Sequence, residues 1–394
     1  MAARPARPAD RRRPAVGARA RRRRALLAWY RAARRDLPWR RTRDPWAIWV
    51  SETMLQQTRV EAVIPYWERF LARFPDPGTL AVADLDDVLG LWSGLGYYSR
   101  ARNLKRAAEE VVERFAGRVP DQVEALRSLP GVGPYTAGAV ASIAYGRPAP
   151  IVDGNVARVL ARVLGLREEI GSPAARARLW EEAEALAAGD APGDLNQALM
   201  ELGALVCVPR APRCDACPLA RACDARAAGD AGALPRRAPK RAPEPVHAVA
   251  ALVRRRGRAL AVRRPARGLL GGLWELPGGE VASVRAGGPG ALAALLRERL
   301  GLAVAAIEPA GRLDYAFTHR RLSLRLFRCE AAPGRVRRSG WDAHRWLSDA
   351  ELDALPLGTV GRRALATARS ERVPGASGKL GRWPRTPASD GPSC

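Results

Sequence analysis

The sequence is poor in lysine, histidine and phenylalanine, and it lacks any long apolar run. Only three of its 66 basic residues are lysine (Lys105, Lys240 and Lys379), an arginine bias typical of a GC-rich genome. The longest apolar runs, such as residues 136–144, are far shorter than the ~20 residues that a membrane-spanning helix needs. The sequence therefore predicts no membrane-spanning segment and no membrane partner.

Acidic residues are also scarce. There are 40 of them against 66 basic residues, a net charge of +26, and a surface this positive favours a polyanion such as nucleic acid, or an anionic membrane face. Residues 1–24 carry ten arginines and no long apolar stretch follows, so they are not a secretion signal. We predict a disordered basic arm over 1–24 that adds non-specific DNA affinity, with an organellar transit peptide as the alternative. The expected location is the cytoplasm, at the nucleoid of a bacterial-type cell.

Four of the six cysteines lie within 17 residues. This clustering indicates a metal centre rather than a disulfide framework. The spacing is C-x6-C-x2-C-x5-C, and its members are Cys207, Cys214, Cys217 and Cys223. All-cysteine ligation suits a [4Fe–4S] cluster or zinc, and the single C-x2-C pair favours the cluster without excluding zinc. Cys329 and Cys394 have no assigned role.

The chain divides by pattern into two folded regions. Apolar residues recur at helical spacing through 25–205, which predicts an all-α domain over 25–224 that the cysteines close. A Pro- and Arg-rich linker follows at 225–245. Short strands are predicted at 246–253, 258–263, 312–317 and 322–329, with one helix at 291–300. These elements form a small α+β domain over 246–357, and the tail 358–394 is predicted to be disordered.

A glycine-rich loop joins two helical stretches at Leu129-Pro130-Gly131-Val132-Gly133-Pro134. Glycines let the backbone turn tightly and approach an anion, and the helix after Pro134 would direct free N–H groups at it. In a basic chain we interpret this loop as a helix–hairpin–helix motif in which Gly131, Val132 and Gly133 bind a DNA phosphate. The alternative is an ordinary tight turn between helices.

Two carboxylates stand out in apolar surroundings. Glu52 lies in the stretch 49–58, and burial there would raise its pKa and keep it protonated as a general acid. Asp153 follows the apolar pair Ile151 and Val152 and precedes Gly154. The plainer interpretations are a solvated helix residue for Glu52 and a helix N-cap for Asp153. Two carboxylates in unlike environments are what N-glycosidic bond cleavage requires.

Taken together, these motifs resemble those of the MutY-type adenine DNA glycosylases, within the helix–hairpin–helix superfamily of base-excision glycosylases. The resemblance covers about residues 25–350. It rests on the runs 36–40, 49–58, 94–100, 129–137, 153–156 and 196–207 and on the cysteine loop. It implies a monomer that acts on double-stranded DNA and removes adenine mispaired with 8-oxoguanine or guanine. The adenine must leave the base stack to be reached.

The resemblance also implies roles for particular residues. Glu52 would protonate adenine and help activate water, while Asp153 would stabilise the oxocarbenium ion. Tyr135 and Asn155 would hold the sugar and Asp153. The base pocket would be lined by Trp39, Arg40 and Gln197, and Gln57 and Tyr97 would wedge into the base stack. The cysteines would hold a [4Fe–4S] cluster. Bifunctional relatives have a lysine nucleophile where this chain has Tyr135, so we predict a monofunctional enzyme because a Schiff base needs an amine.

The C-terminal region resembles the Nudix hydrolase fold, through Leu276-Pro277-Gly278-Gly279-Glu280 and a helix that ends near Gly301. Nudix chemistry needs several glutamates on that helix to hold Mg²⁺, and here only Glu298 is suitable. We therefore expect a domain that binds without hydrolysing. Phe317, Thr318 and His319 are similar to the Phe-Ser-His loop of the MutY-type family, with threonine for serine, and this resemblance implies that they recognise 8-oxoguanine. The other hypotheses are a Nudix-type nucleotide hydrolase with an accessory DNA-binding domain, and a binding protein without catalysis.

Overall fold

The computed structural model describes residues 16–239, 242–337 and 339–370, in which a helical region precedes a region built around a sheet. The helices of the first region are α1 (Val16–Ala33), α2 (Pro45–Leu55), α3 (Val60–Arg73), α4 (Pro77–Ala81), α5 (Leu85–Trp92), α6 (Ser99–Phe115), α7 (Val123–Arg127), α8 (Pro134–Ala139), α9 (Gly154–Val163), α10 (Pro173–Ala187), α11 (Pro192–Leu205) and α12 (Asp224–Ala227). None of the described helices is long and apolar enough to cross a membrane.

The chain forms two compact units, and the first combines residues up to 59 with residues 119–238. Its core is made by the apolar faces of α1, α9, α10 and α11, with Leu26, Val159 and Leu199 fully buried. Helices α9 and α11 approach closely at Gly203, where a Cβ would lie 2.6 Å from the Cβ of Asn155. A glycine at this contact therefore sets the position of the α9 N-terminus, which carries the site.

Side-chain caps fix the starts of the helices that carry the site. Asp44 accepts hydrogen bonds from the backbone N–H groups of Trp46 (3.0 Å) and Ala47 (3.3 Å), and Pro45 is preorganised for the first turn of α2. Asp153 caps α9 in the same way, since it accepts from the N–H of Val156 at 2.6 Å. The N-cap interpretation of Asp153 is therefore correct, and it leaves the second carboxylate oxygen for other partners.

The second unit combines residues 60–118 with residues from 239 onward. Its strands are β1 (Glu244–Arg255), β2 (Arg258–Arg263), β3 (Trp274–Glu275), β4 (Gly278–Val281), β5 (Val304–Ala316), β6 (Arg320–Ala331) and β7 (Ala343–Leu347), and its further helices are α13 (Pro289–Leu300), α14 (Asp349–Ala354) and α15 (Thr359–Arg369). The strand order is β3-β2-β1-β6-β5, while β4 also pairs with β1 and β7 with β2. Strands β1 and β6 are parallel, and the other described pairs are antiparallel.

The sheet has a core on each face, because successive side chains of a strand point to opposite faces. On β1, Val249, Ala251 and Val253 pack with α13, whereas Ala250 and Leu252 pack on the side of α14 and α15. Helix α5 belongs to the same unit, and its Asp86 accepts a hydrogen bond at 3.1 Å from the indole Nε1 of Trp274 on β3. The multidomain fold class, an all-α region followed by an α+β Nudix-like region, is confirmed.

Three predicted irregular segments are more ordered than expected. The prediction of a disordered arm is wrong for residues 16–24, which belong to α1. They are held there because Arg19 and Arg22 pair with the buried Glu182 at 2.9 and 3.1 Å. The linker contains α12 and a buried Leu234, whose carbonyl accepts from Arg162. The tail includes α15, which packs on the sheet through Val360 and Leu365. Residues 1–15 and 371–394 lie outside the described residues.

Candidate active site

Glu52 is the buried carboxylate of the first unit. It lies on α2, is only 4% exposed, and accepts a hydrogen bond from the hydroxyl of Tyr135 on α8 at 2.5 Å. Burial raises the pKa of Glu52 to about 7, and the negative charge of Asp153 adds to this effect, while the Tyr135 hydrogen bond and the Arg40 charge oppose it. Glu52 is therefore able to hold a proton near neutral pH, and the solvated-helix alternative is wrong.

Asp153 has a different environment from Glu52. Its Oδ1 accepts from the Val156 N–H, and its Oδ2 accepts from the Asn155 amide at 3.2 Å. Burial raises the pKa of Asp153, whereas these hydrogen bonds and the Arg158 charge lower it. The cap and the amide favour the anion and fix the orientation of the carboxylate at the N-terminus of α9.

Arg158 holds the opposite end of the Asn155 amide. This arginine is 2% exposed, and it donates to Asn155 Oδ1 and to the Gly203 carbonyl, both at 2.8 Å. Because Oδ1 is committed to Arg158, the Asn155 amide nitrogen must face Asp153. Arg158 also donates to the Cys207 carbonyl at 2.8 Å, so the site and the cysteine loop share one buried guanidinium.

A second buried carboxylate, Glu201 on α11, holds the arginines near the site. It accepts from Arg35 at 2.7 Å and from Arg40 at 2.9 Å, and these two hydrogen-bonded arginines lower the pKa of Glu201 to about 2 against the effect of burial. Of the predicted base-pocket residues, Trp39 and Gln197 are buried, and Arg40 is fixed by this carboxylate. Glu201 is therefore ionised throughout the physiological range.

The glycine-rich loop has the backbone of a tight turn before a helix. Gly131 has φ +76°, a left-handed conformation that favours glycine, and Gly133 is the N-cap of α8 without a side-chain cap. The helix continues past Ala139 as a π-helical segment, Val140–Ala144. The first N–H groups of α8 thus donate to no side chain of the N-cap residue, because that residue is a glycine.

The four cysteines line one small cavity of about 20 Å³ together with Arg162 and Val159. The charges of the neighbouring thiols contribute to raising the pKa of Cys217 to about 11, although burial is the larger cause. In the part of the chain that the structure describes, no three ligand-type side chains are close enough to bind a single metal ion. The thiols surround a common space, and an all-thiolate donor set fits an iron–sulfur cluster.

The two residues that we predicted to wedge into the base stack are both exposed and strained. Gln57, at the end of α2, has φ +58°, and Tyr97, just before α6, has φ +47° and is 43% exposed. Left-handed backbone at bulky residues is uncommon and concentrates at functional sites. Gln57 belongs to the first unit and Tyr97 to the second.

In the second unit, Tyr97 lies beside the predicted 8-oxoguanine loop. Its hydroxyl is 3.0 Å from the hydroxyl of Thr318. Thr318 and the exposed His319 form the tip of the β5–β6 hairpin, where the ring of Phe317 packs edge-on against Tyr315 at 4.8 Å. The His319 carbonyl accepts from the Glu244 N–H, which secures the hairpin on β1.

Two family models and several curated relatives match the chain. The family model described as "HhH-GPD superfamily base excision DNA repair protein" matches residues 50–185, and the NUDIX domain model matches residues 248–367. The adenine DNA glycosylase of Rattus norvegicus is 37% identical over 361 residues, which cover 77% of this chain and 69% of the rat protein. The chain belongs to the adenine DNA glycosylase family. The predicted resemblance is confirmed.

Other members of this family match over shorter stretches. The Homo sapiens adenine DNA glycosylase is 40% identical over 307 residues, which cover 64% of this chain and 56% of the human protein. Among solved structures, a thermostable thymine-DNA glycosylase is 31% identical, with a TM-score of 0.49, and covers 54% of this chain and 98% of its own. The adenine DNA glycosylase relatives and the matched base-excision family model show that the chain is an enzyme of this glycosylase family.

Sequence reasoning missed two groups that organise the site. Glu201 is a carboxylate between the apolar residues Met200 and Leu202 of α11, a signal like the one that singled out Glu52. Arg158 and Arg162 recur four residues apart in the apolar helix α9, which places them on one buried face. A search for charged residues within apolar helical patterns could have found Glu201, Arg158 and Arg162.

Proposed function

We propose that this adenine DNA glycosylase hydrolyses the N-glycosidic bond of adenine mispaired with 8-oxoguanine or guanine in duplex DNA, without lyase activity. The observation that carries the proposal is the buried Glu52, with a pKa near 7, close enough to Asp153 for the two charges to interact. Glu52 is the general acid. Adenine leaves the sugar more readily once a ring nitrogen has accepted a proton.

Asp153 acts on the sugar. As the glycosidic bond breaks, positive charge develops on the deoxyribose, and an adjacent carboxylate stabilises it or forms a transient bond to C1′. The Val156 N–H and the Asn155 amide support this role because they favour the ionised form and hold its orientation. Glu52 then helps to activate the water that completes hydrolysis.

Tyr135 positions the acid. Its hydroxyl donates to Glu52 and so fixes the carboxyl group. Because the residue at this place in the hairpin is a tyrosine, it supplies no amine. Neither residues 16–59 nor residues 119–238 contain a lysine. A Schiff base with the sugar needs an amine nucleophile, so this supports a monofunctional reaction.

Binding and recognition are divided between the units. Gly131, Val132 and Gly133 bind a DNA phosphate at the start of α8, while Trp39, Arg40 and Gln197 line the pocket for the flipped adenine. Gln57 and Tyr97 fill the space in the base stack, and Phe317, Thr318 and His319 read the 8-oxoguanine. The hydrogen bond between Tyr97 and Thr318 supports a shared role for Tyr97 and the loop that reads 8-oxoguanine.

The cysteine loop holds a [4Fe–4S] cluster, bound by Cys207, Cys214, Cys217 and Cys223. The cluster is a structural group that fixes a basic loop for DNA contact. Arg162 supports this assignment, because it ties α9 to the loop through the carbonyls of Val208 (2.7 Å) and Pro209 (2.8 Å).

A single-turnover assay tests the proposed reaction. The substrate is a labelled duplex with one 8-oxoguanine:adenine pair, analysed with and without alkali. A G:C duplex and hydrolysis of 8-oxo-dGTP are the controls. We expect a break at the adenine position that appears only after alkali treatment, since a glycosylase without lyase activity leaves an intact abasic strand.

Three results would contradict the proposal. Strand breakage without alkali would indicate a lyase nucleophile. Mispair binding without excision would indicate a binding protein. Hydrolysis of 8-oxo-dGTP would indicate that the C-terminal region is an active Nudix hydrolase.

A further inference from the structure

A cavity of about 430 Å³ lies within the second unit, beside the sheet. Its volume is in the range of small-molecule sites. One part is apolar and is lined by Leu270, Leu322 and Leu324 and by the α15 residues Val360 and Ala364. The proposed excision reaction assigns no role to this cavity, and of the 8-oxoguanine loop only Phe317 reaches its lining.

The other part of the cavity is polar and carries a connected set of four side chains. Glu275 accepts from Arg264 at 2.9 Å and from the Trp341 indole at 3.0 Å. The guanidinium of Arg299 stacks on the Trp341 ring at 4.0 Å. The whole cavity lining has three arginines and two glutamates, since Arg320 pairs with Glu280, and this leaves one net positive charge.

These arginines have donors that the protein does not use. The Nε of Arg264 is buried and has no hydrogen-bond partner. Arg299 is anchored by single bonds from Nη1 to the Gly278 carbonyl and from Nε to the Ser339 carbonyl, both at 3.3 Å. These two bonds leave one N–H group of Nη1 and both N–H groups of Nη2 for an anion oxygen, and phosphate is a suitable acceptor for them.

Arg299 also lies on the helix that would carry metal-binding glutamates in a Nudix hydrolase. The end of α13 reads Arg297-Glu298-Arg299, so positive charge stands next to the only carboxylate. In such enzymes a divalent cation neutralises the phosphates of the ligand. In this domain the guanidinium of Arg299, stacked on the Trp341 ring, supplies the positive charge, so that no bound cation is needed.

We propose that this cavity binds a nucleoside monophosphate without a divalent metal ion, with the base in the apolar part and the phosphate on Arg299 and Arg264. An apolar space lined by leucines suits a planar base, and the net positive charge of the lining suits one phosphate. The proposal is independent of adenine excision, because no residue that we assign to the chemistry of excision lines the cavity.

Titration calorimetry of the full chain in EDTA tests the proposal, with dGMP, deoxyguanosine and inorganic phosphate as probes. We expect dGMP to bind at least tenfold more tightly than either fragment, with no change when Mg²⁺ replaces EDTA. Arg299→Gln should weaken dGMP binding about tenfold, the ~1.4 kcal/mol of one charge-assisted hydrogen bond. Arg299→Lys keeps the charge and should recover part of this loss.

Two further variants guard against a trivial loss of folding. Ala364→Leu fills the apolar part without touching a charge, so it should weaken dGMP binding while leaving phosphate binding unchanged. Arg297→Gln is the matched control, since Arg297 is exposed on the same helix outside the lining, and it should bind dGMP as the wild type does.

The proposal is overturned if the wild type binds no dGMP, if binding requires Mg²⁺, or if Arg297→Gln and Arg299→Gln weaken it equally. Glu52→Gln separates this site from excision: it should lose adenine release and keep dGMP binding. Loss of dGMP binding in a chain that still excises adenine would refute this site alone.

Discussion

Replacing Tyr135 with phenylalanine should move the pH dependence of excision in a direction that the structure specifies. The Tyr135 hydroxyl donates to Glu52 and so lowers its pKa, which burial raises to about 7. Tyr135→Phe removes this hydrogen bond, while burial and the opposing charge of Arg40 remain. The pKa of Glu52 should therefore rise further.

The size of the shift follows from the strength of one hydrogen bond. A hydrogen bond to a charged group is worth about 1.5 kcal/mol, and one pKa unit corresponds to ~1.4 kcal/mol, so the shift is about one unit. A general acid works while it is protonated. The excision rate should be highest below the pKa of Glu52 and fall as the pH rises through it, near pH 7 in the wild type and about one unit higher in Tyr135→Phe.

Single-turnover excision measured from pH 5 to 9 gives this midpoint. Only the midpoint of the alkaline limb is compared, because the loss of the hydroxyl also changes the maximum rate. An unchanged or lower midpoint in Tyr135→Phe would refute the argument, since Glu52 would then not be the titrating acid or Tyr135 would not be its donor.

Three other substitutions test the frame around the site. Gly203→Ala should slow excision and cost about 1–3 kcal/mol in unfolding free energy, because its Cβ would lie 2.6 Å from that of Asn155. Gly232→Ala is the matched control, because a Cβ at this position would meet no atom within 4 Å. It should change neither the excision rate nor the unfolding free energy measured in thermal melts. Arg158→Lys loses the hydrogen bond from Nη2 to Asn155 Oδ1 and should slow excision about tenfold with unchanged duplex affinity in binding titrations, since a buried hydrogen bond is worth ~1–3 kcal/mol. Thr318→Val should slow excision from 8-oxoguanine:adenine duplexes about fivefold, a hydrogen bond of ~1 kcal/mol, and leave guanine:adenine duplexes less affected in parallel assays.

Much of the fold was predictable because its signals are local. Helical periodicity and breakers marked most helices, and alternation marked β1, β2, β5 and β6. Short strands such as Trp274–Glu275 carry too few residues for a periodic pattern, so β3, β4 and β7 were missed. Helix α1 was half missed because ten arginines suggested disorder, whereas long-range pairing of Arg22 with Glu182 offsets their repulsion.

The grouping of residues 60–118 with the sheet could not be predicted either. The helical pattern of α3–α6 shows that these segments bury an apolar face, but not which partner covers it. The contacts that decide it join residues far apart in the chain, such as Asp86 with Trp274 and Ser93 with the Leu357 carbonyl at 3.1 Å. No single-sequence signal encodes such pairs.

The candidate site was predictable where a residue type carries the chemistry itself. Glu52, Asp153 and the cysteines stand in motifs of their own. The supporting residues are harder to find, because Glu201 and Arg158 act by holding other groups. The partners that decide their roles are distant in the chain, such as Arg40 for Glu201 and the Gly203 carbonyl on α11 for Arg158.

Comparing Glu52→Gln with the wild type is the most direct test of the account. Adenine release from an 8-oxoguanine:adenine duplex is measured in single turnover, and duplex affinity is measured in parallel. A general acid contributes about 10²- to 10⁴-fold, so we expect at least a hundredfold slower release with affinity close to the wild type. Release at the wild-type rate would contradict the central claim that the protonated Glu52 drives departure of adenine.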